Sequence, residues 1–276
     1  MSPLGLIAGG GDLPKAIAQS VREAGRDVFV VALLGSAEEW VQDFAHDTAS
    51  IGEVGKVVKV LKGVGVTDIV LAGQIVRPKF SELKLDMKGA MVAPRIIAAA
   101  RKGDDALLRA VVEALERDGF KALGAQEAAP GLLAPEGVLG RIKPDAGDQE
   151  DIAAAFKIVR CLGELDVGQA AIVCDGLPLV VEAAEGTDAM IARVATLPAH
   201  FRGTPEKRKG VLVKAPKPIQ DRKTDLPVIG LQTLRNAAAV GLAGIAVEAG
   251  GALILGRKAV VEEADKLGLF VIGVRP

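Results

Sequence analysis

Along the first half of this chain, short unbroken apolar runs alternate with stretches of helical spacing. Leu4–Ala8 is apolar and closes on Gly9-Gly10-Gly11; Leu13–Ala24 then has helical spacing and stops at Gly25. Asp27–Leu34 is rich in valine and reads as a buried strand, Val54–Lys62 as a short helix after Gly52, and Asp68–Ala72 as another strand. Ala90–Ala100 and Asp104–Glu116 are helical, the second opening on two carboxylates that suit the positive end of a helix dipole. Phe120–Leu123 is a last short strand. Unbroken apolar strands separated by helices predict a parallel sheet with both faces covered, a Rossmann-like α/β domain over residues 1–130.

Pro130–Gly140 breaks this pattern with two prolines, three glycines and no period, and residues 131–140 read as a Pro/Gly linker. The pattern restarts over 141–276 as a mixed α/β domain. Asp148–Leu162 is an amphipathic helix. Gly168–Cys174 and Leu179–Ala184 flank a Gly176-Leu-Pro178 turn and predict a hairpin. Thr187–Leu197 reads as a helix, Gly210–Lys214 as a strand and Leu231–Gly241 as a helix. Gly244–Glu248 and Ala252–Leu255 flank Gly250-Gly251 as a second hairpin candidate, followed by a helix at Arg257–Leu267 and a strand at Phe270–Val274. No repeat of fixed period is present.

Composition narrows the function classes. The chain has 276 residues, half of them hydrophobic, enough for two modest domains. No apolar run reaches the roughly 20 residues that span a bilayer, and the N-terminus lacks a basic segment before its first apolar run, so it reads as a strand rather than a signal peptide. Cys161 and Cys174 make no disulfide framework, which fits a reducing cytosol. Net charge is −1, aromatics are 3% and tyrosine is absent, which argues against a nucleic-acid partner. With two histidines, His46 and His200, a histidine-rich metal cluster is excluded.

Chemistry must then come from carboxylates, cations and backbone amides. The run from Lys214 to Pro227 carries four cations, two carboxylates (Asp221 and Asp225) and three prolines after an apolar strand. Such a stiff loop suits a phosphate–metal site, with lysines on phosphate oxygens and carboxylates on a hard cation; a solvated loop of screened ion pairs is the bland alternative. Gly9-Gly10-Gly11-Asp12 opens a helix, where free amides can hold an anion. It departs from a dinucleotide fingerprint, because Pro14 fills the third glycine position and no acid ends the Val31–Leu34 strand. A different phosphate-containing ligand fits better. Gln74, Arg77 and Lys79 follow the Asp68–Ala72 strand and would sit at the sheet's carboxyl edge. Glu185-Gly186-Thr187-Asp188 starts a helix with Thr187 as N-cap, and Glu182, Glu185 and Asp188 are three carboxylates that could contribute a cation ligand.

Leu6–Pro14, Leu165–Ala170, Val181–Ile191, Gly210–Arg222, Asp225–Gly230 and Ala243–Ala249 together resemble the LpxI-type UDP-2,3-diacylglucosamine pyrophosphatases. The resemblance covers both halves. It implies a two-domain enzyme of lipid A biosynthesis that cleaves its substrate's pyrophosphate to UMP and 2,3-diacylglucosamine 1-phosphate. Water is the implied nucleophile, at the sugar-side phosphorus, with a divalent cation, Mg²⁺, as cofactor. The implied setting is cytoplasmic, peripheral to the inner membrane and reached through the glycolipid nucleotide substrate.

Asp225 matches the family's essential acid. On this resemblance Asp225, Lys214 and Asp221 are the catalytic candidates, with Asp225 and Asp188 at the metal. Lys217 would pair with phosphate oxygens. Gly10, Gly11, Asp12, Gln74, Arg77, Lys79, Gln169, Gly186, Thr187, Asp188, Gln232 and Thr233 are expected to bind substrate. Met91, Val92, Ile96 and Ile97 could line an acyl groove, although core packing is the commoner use of such residues. A homodimer is the default oligomer. Rival readings are a non-catalytic carrier of an acylated sugar phosphate and a nicotinamide oxidoreductase built on the Gly9–Gly11 turn.

Overall fold

The structure is a computed structural model that describes residues 1–35, 39–75, 83–101, 103–218 and 226–275. The chain forms two compact units, Met1–Gly131 and Leu132–Pro276. In the first, the elements in chain order are β1 (Leu4–Ala8), α1 (Asp12–Glu23), β2 (Val28–Leu33), β3 (Ala45–Ala49), α2 (Val54–Gly63), β4 (Asp68–Ala72), α3 (Met87–Ala100), α4 (Asp104–Glu116), β5 (Lys121–Ala122) and α5 (Ala125–Ala128). The strands build one parallel sheet in the order β3-β2-β1-β4-β5. Ile7, Val31, Leu61 and Ile69 are among the residues of a core shared with Leu115 and Phe120. The parallel sheet is the predicted one.

Two elements differ from the sequence reading. The strand β3, Ala-His-Asp-Thr-Ala, lacks an apolar run; it lies at the sheet edge, where only Ala49 is buried and polar side chains keep contact with solvent. The helix α3 starts at Met87, earlier than its apolar spacing suggests, because Asp86 caps it by accepting a hydrogen bond from Gly89 N (2.6 Å).

The second unit runs β6 (Gly137–Val138), α6 (Ala146–Glu164), β7 (Ala170–Cys174), β8 (Leu177–Val181), α7 (Gly186–Val194), β9 (Val211–Lys214), β10 (Val228–Ile229), α8 (Leu231–Ala239), β11 (Gly244–Glu248), β12 (Leu253–Ile254), α9 (Arg257–Leu267) and β13 (Phe270–Val274). Its main sheet has the order β6-β13-β11-β9-β7-β8. The central β13, β11 and β9 are parallel, and β6, β7 and β8 add antiparallel partners at the flanks. Residues 132–140 belong to this unit: Ala134 is buried and donates its N–H to Ala252 O (2.9 Å), and Gly137 and Val138 pair with β13.

The β7–β8 hairpin forms, but its turn is Asp175-Gly176 rather than the expected Gly176-Leu-Pro178, because Leu177 and Pro178 already pair with Cys174 and Val173. The second predicted hairpin does not. The strand β11 lies between β9 and β13 in parallel register, while β12 leaves to pair with β10 in a separate two-stranded sheet. Local turn chemistry at Gly250-Gly251 is compatible with a hairpin, but β11 buries four of its five residues and has both edges taken by long-range parallel partners.

The main sheet has two cores. Leu212, Ile172, Ile245 and Val247 pack with Met190 and Ile191 of α7 and Leu234 of α8. Val211, Val213, Ala171 and Val173 face the other way onto Ile152, Phe156 and Val159 of α6. Strand alternation sends neighbouring side chains to opposite faces.

Candidate functional site

Lys214 ends β9 with the parity of Leu212, so its side chain leaves on the α7–α8 face. It is one of three buried charged residues among those described, with Glu182 and Asp151. Its ammonium donates to Thr187 Oγ1 at 2.8 Å and to the Val228 carbonyl at 3.1 Å. An ammonium only donates and an ionised carboxylate only accepts. Thr187 therefore accepts from Lys214 and gives its own proton to Glu182 Oε1, 2.6 Å away. Glu182 Oε2 accepts the Gln169 N–H at 3.0 Å, and the Gln169 carbonyl accepts from Ala215 N at 3.1 Å. Gln169 Oε1 is buried and has no hydrogen-bond partner among the described residues. A burial-induced charge cost at Lys214 is thus offset by Glu182 across one shared hydroxyl.

The same hydrogen bond corrects the expected role of Thr187. Glu185, not Thr187, occupies the N-cap position of α7, and it makes no side-chain cap bond. Gly186 begins the helix at φ 79°, a left-handed conformation that glycine adopts without a side-chain clash. The three carboxylates of this segment also go to different partners. Glu182 serves Thr187 and Gln169, Glu185 pairs with Arg193 at 2.7 Å, and Asp188 accepts from Asn236 Nδ2 at 2.9 Å. Asn236 in turn accepts from Gln232 Nε2 at 2.7 Å. The tertiary structure thereby gathers Gln232 and Asp188 through Asn236, a residue the sequence reading missed. Its one signal is a polar side chain four positions after Gln232 on an alanine-rich helix. Thr233 sits half-buried in the same first turn of α8. Lys217 Nζ lies 2.7 Å from Asp166 Oδ1, an ion pair with a half-exposed acid.

In the first unit the order β3-β2-β1-β4-β5 puts a topological switch point between β1 and β4, where ligands of open α/β sheets bind. Gly10 and Gln74 meet there through reciprocal backbone hydrogen bonds of 2.8 Å. The approach is close enough that a Cβ on Gly9 would lie 2.6 Å from the Gln74 carbonyl oxygen. Gly11, at φ 87°, precedes α1, and Asp12 is its exposed first residue. Met91 is 77% exposed, not core, and only Gly89 and Ala100 are buried in α3. Arg77, Lys79, Asp221 and Asp225 lie outside the described residues. Among the described residues no group of three or more His, Cys, Asp or Glu gathers as a metal site.

Two family models cover nearly the whole chain. Residues 3–132 match the LpxI N-terminal domain and residues 135–272 the LpxI C-terminal domain. The chain belongs to the LpxI family. It is 49% identical over 276 residues to the UDP-2,3-diacylglucosamine pyrophosphatase LpxI of Caulobacter vibrioides, covering 100% of this chain and 99% of that protein. The Gly10–Gln74 bridge falls within the LpxI N-terminal match. The Lys214–Thr187–Glu182 chain and the Asp188–Asn236–Gln232 chain fall within the LpxI C-terminal match.

Proposed function

We propose that this chain hydrolyses UDP-2,3-diacylglucosamine to UMP and 2,3-diacylglucosamine 1-phosphate, a step of lipid A biosynthesis. The observation that carries the reading is the end-to-end similarity to a protein of that name, with both family domains present in order. Water adds to one phosphorus of the pyrophosphate and the bridging P–O bond breaks; with attack at the sugar-side phosphorus the water oxygen stays on the sugar 1-phosphate, and the bridging oxygen departs as part of UMP. The sugar-side phosphorus is the centre attacked in this reading, and no hydrogen carrier or electron acceptor is required.

The roles of the residues follow from their chemistry. Lys214 brings positive charge to the N-terminal turn of α7, where unpaired backbone amides already favour an anion. Together they stabilise charge building on the phosphoryl oxygens. Thr187 and Glu182 hold that ammonium in place. Asp225 orients the attacking water, with Asp221 in support, and Lys217 exchanges Asp166 for a phosphate oxygen. Within the first unit, the Gly10–Gln74 edge, with Gly11 and Asp12, is the candidate anion-binding element.

Asp188 offers the hard oxygen donors that a divalent cation takes, and in this reading it shares Mg²⁺ with Asp225. The cation would neutralise pyrophosphate charge. No helix among the described residues is long and apolar enough to cross a membrane. The enzyme meets the cytoplasmic face of the inner membrane through its lipid substrate.

The test is UMP release from UDP-2,3-diacylglucosamine in detergent micelles, with and without EDTA, by the wild type and Asp225→Asn. Expected are Mg²⁺-restored turnover in the wild type and a loss of about a thousandfold in the variant with lipid binding kept. A wild type that binds the lipid and releases no UMP with any divalent cation would instead be a carrier.

A further inference from the structure

On the sheet face opposite Lys214, the second unit holds a groove of about 660 Å³ between α6 and the β6–β13 edge. Its volume is that of a small-molecule pocket. Phe156 and Ala153 of α6 form one wall; Val138, Ile272 and Val274 form the other. Lys143, Lys157 and Arg160 stand among the lining residues. Ala153, Lys157 and Arg160 follow one another at spacings of four and three, so they share one face of α6, and all three are exposed.

None of the three cations has an ion pair or hydrogen bond among the described residues. The neighbouring acids are committed elsewhere. Asp145 and Asp148 each accept the other's backbone N–H, Asp265 holds Arg141, and Glu136 pairs with Arg275. Glu150 and Glu164 bracket the stripe along the helix without pairing to it.

We propose that this groove seats an acyl chain of an anionic phospholipid at a bilayer surface, with Lys143, Lys157 and Arg160 at its phosphate. An apolar trough rimmed by unpaired cations is complementary to an anionic amphiphile. The chain as a whole carries −1, so attraction to an anionic bilayer has to be local to such a patch. A second copy of the chain fits poorly, because a two-fold contact would set this basic patch against the same patch. The inference stands apart from pyrophosphate hydrolysis: it concerns where the protein rests, not what it cleaves.

The experiment is cosedimentation of the full chain with phosphatidylcholine vesicles and with vesicles half phosphatidylglycerol, at low and high salt. Binding to the anionic vesicles alone, lost at high salt, is expected. Each surface cation is worth about a fivefold factor, so Lys143→Glu/Lys157→Glu/Arg160→Glu, which removes three cations and adds three anions, should lower the partition coefficient by at least about a hundredfold. Turnover of substrate in neutral detergent micelles should not change, which separates failure here from failure of the hydrolase reading. If the triple variant melts early, the exposed single change Lys157→Glu carries the same test with about a fivefold or larger drop. In a third arm, Ala153→Trp should be quenched by brominated phosphatidylglycerol. Equal binding to both vesicle types, unaltered binding by the charge-reversal variants, or dissociation of an oligomer by Lys157→Glu would overturn the proposal.

Discussion

Lys214 and Glu182 are bound to the same hydroxyl: the ammonium donates to Thr187 Oγ1 at 2.8 Å, and that oxygen's proton goes to the carboxylate at 2.6 Å. Both charges are almost fully buried, at 4% and 5% exposure. Removing the Lys214 ammonium leaves the buried Glu182 carboxylate without that counter-charge in a medium that solvates it poorly. Lys214→Met should therefore cost roughly 3 kcal/mol of folding stability, and Glu182→Gln a similar amount. The double variant should cost clearly less than the sum, because both charges bind the one Thr187 hydroxyl. Urea denaturation of the four proteins measures the coupling; strictly additive losses would mean that the hydroxyl does not connect the two charges. Lys214→Met should also lower kcat/KM for UMP release by about a hundredfold or more.

Asp151 is the third buried charge among the described residues, and its position ties α6 to the β7–β8 turn. Its two oxygens accept the backbone N–H groups of Asp175 (2.9 Å) and Gly176 (2.7 Å). Asp175 is held at φ 50°, a conformation unusual for a residue with a side chain. Asp151→Ala leaves both amides without their acceptor and should cost about 2–3 kcal/mol. The check is the urea midpoint, with hydrogen exchange expected to quicken first at Asp175 and Gly176. A midpoint shift below half a kcal/mol would refute the assignment.

The two cysteines should behave as different chemical species. Cys161 is exposed, whereas Cys174 is buried on β7. Burial, and then the nearby Asp175 and Asp151 carboxylates, push the Cys174 thiol up to about 11. A thiol reagent at pH 8 should titrate one cysteine in the native protein and two in denaturant. The sign of the pH effect follows. Between the ordinary thiol value of 9.0 and about 11 the folded state keeps this proton and the unfolded chain loses it. This group's contribution to stability therefore falls as pH rises through that window, and Cys174→Ala should flatten the slope of melting temperature against pH there.

Asp265 gives the opposite dependence. The Arg141 backbone N–H, 2.7 Å from one oxygen, and then the Arg141 guanidinium hold its carboxyl below the ordinary range, despite a desolvation effect in the other direction. A depressed folded value means stability that is present above the ordinary carboxylate range and is lost as pH falls through the folded value. Acidification should loosen the 140–142 segment from α9. Asp265→Asn should bring that loosening to neutral pH, read as faster exchange of the Arg141 amide.

The sequence determined the elements that local physics fixes. Parallel strands in the first unit were legible because β1, β2 and β4 read as unbroken apolar runs, and the β7–β8 hairpin because two apolar runs flank a glycine- and proline-bearing turn, although the turn itself falls at Asp175-Gly176. The ordered motifs along the chain also carry the family resemblance. What the tertiary structure alone decided is pairing across distance. The residue pairs Gly10 and Gln74, Lys214 and Thr187, and Asp188 and Asn236 are 64, 27 and 48 positions apart. The strand β11 took parallel partners over a tempting local turn, and Thr187 gave up a helix cap to serve two buried charges. The reason is common to all of these: spacing encodes local periodicity, while the partner of a buried polar group depends on which distant segment the fold brings within about 3 Å, and leaving that group unpaired costs more than any local preference returns.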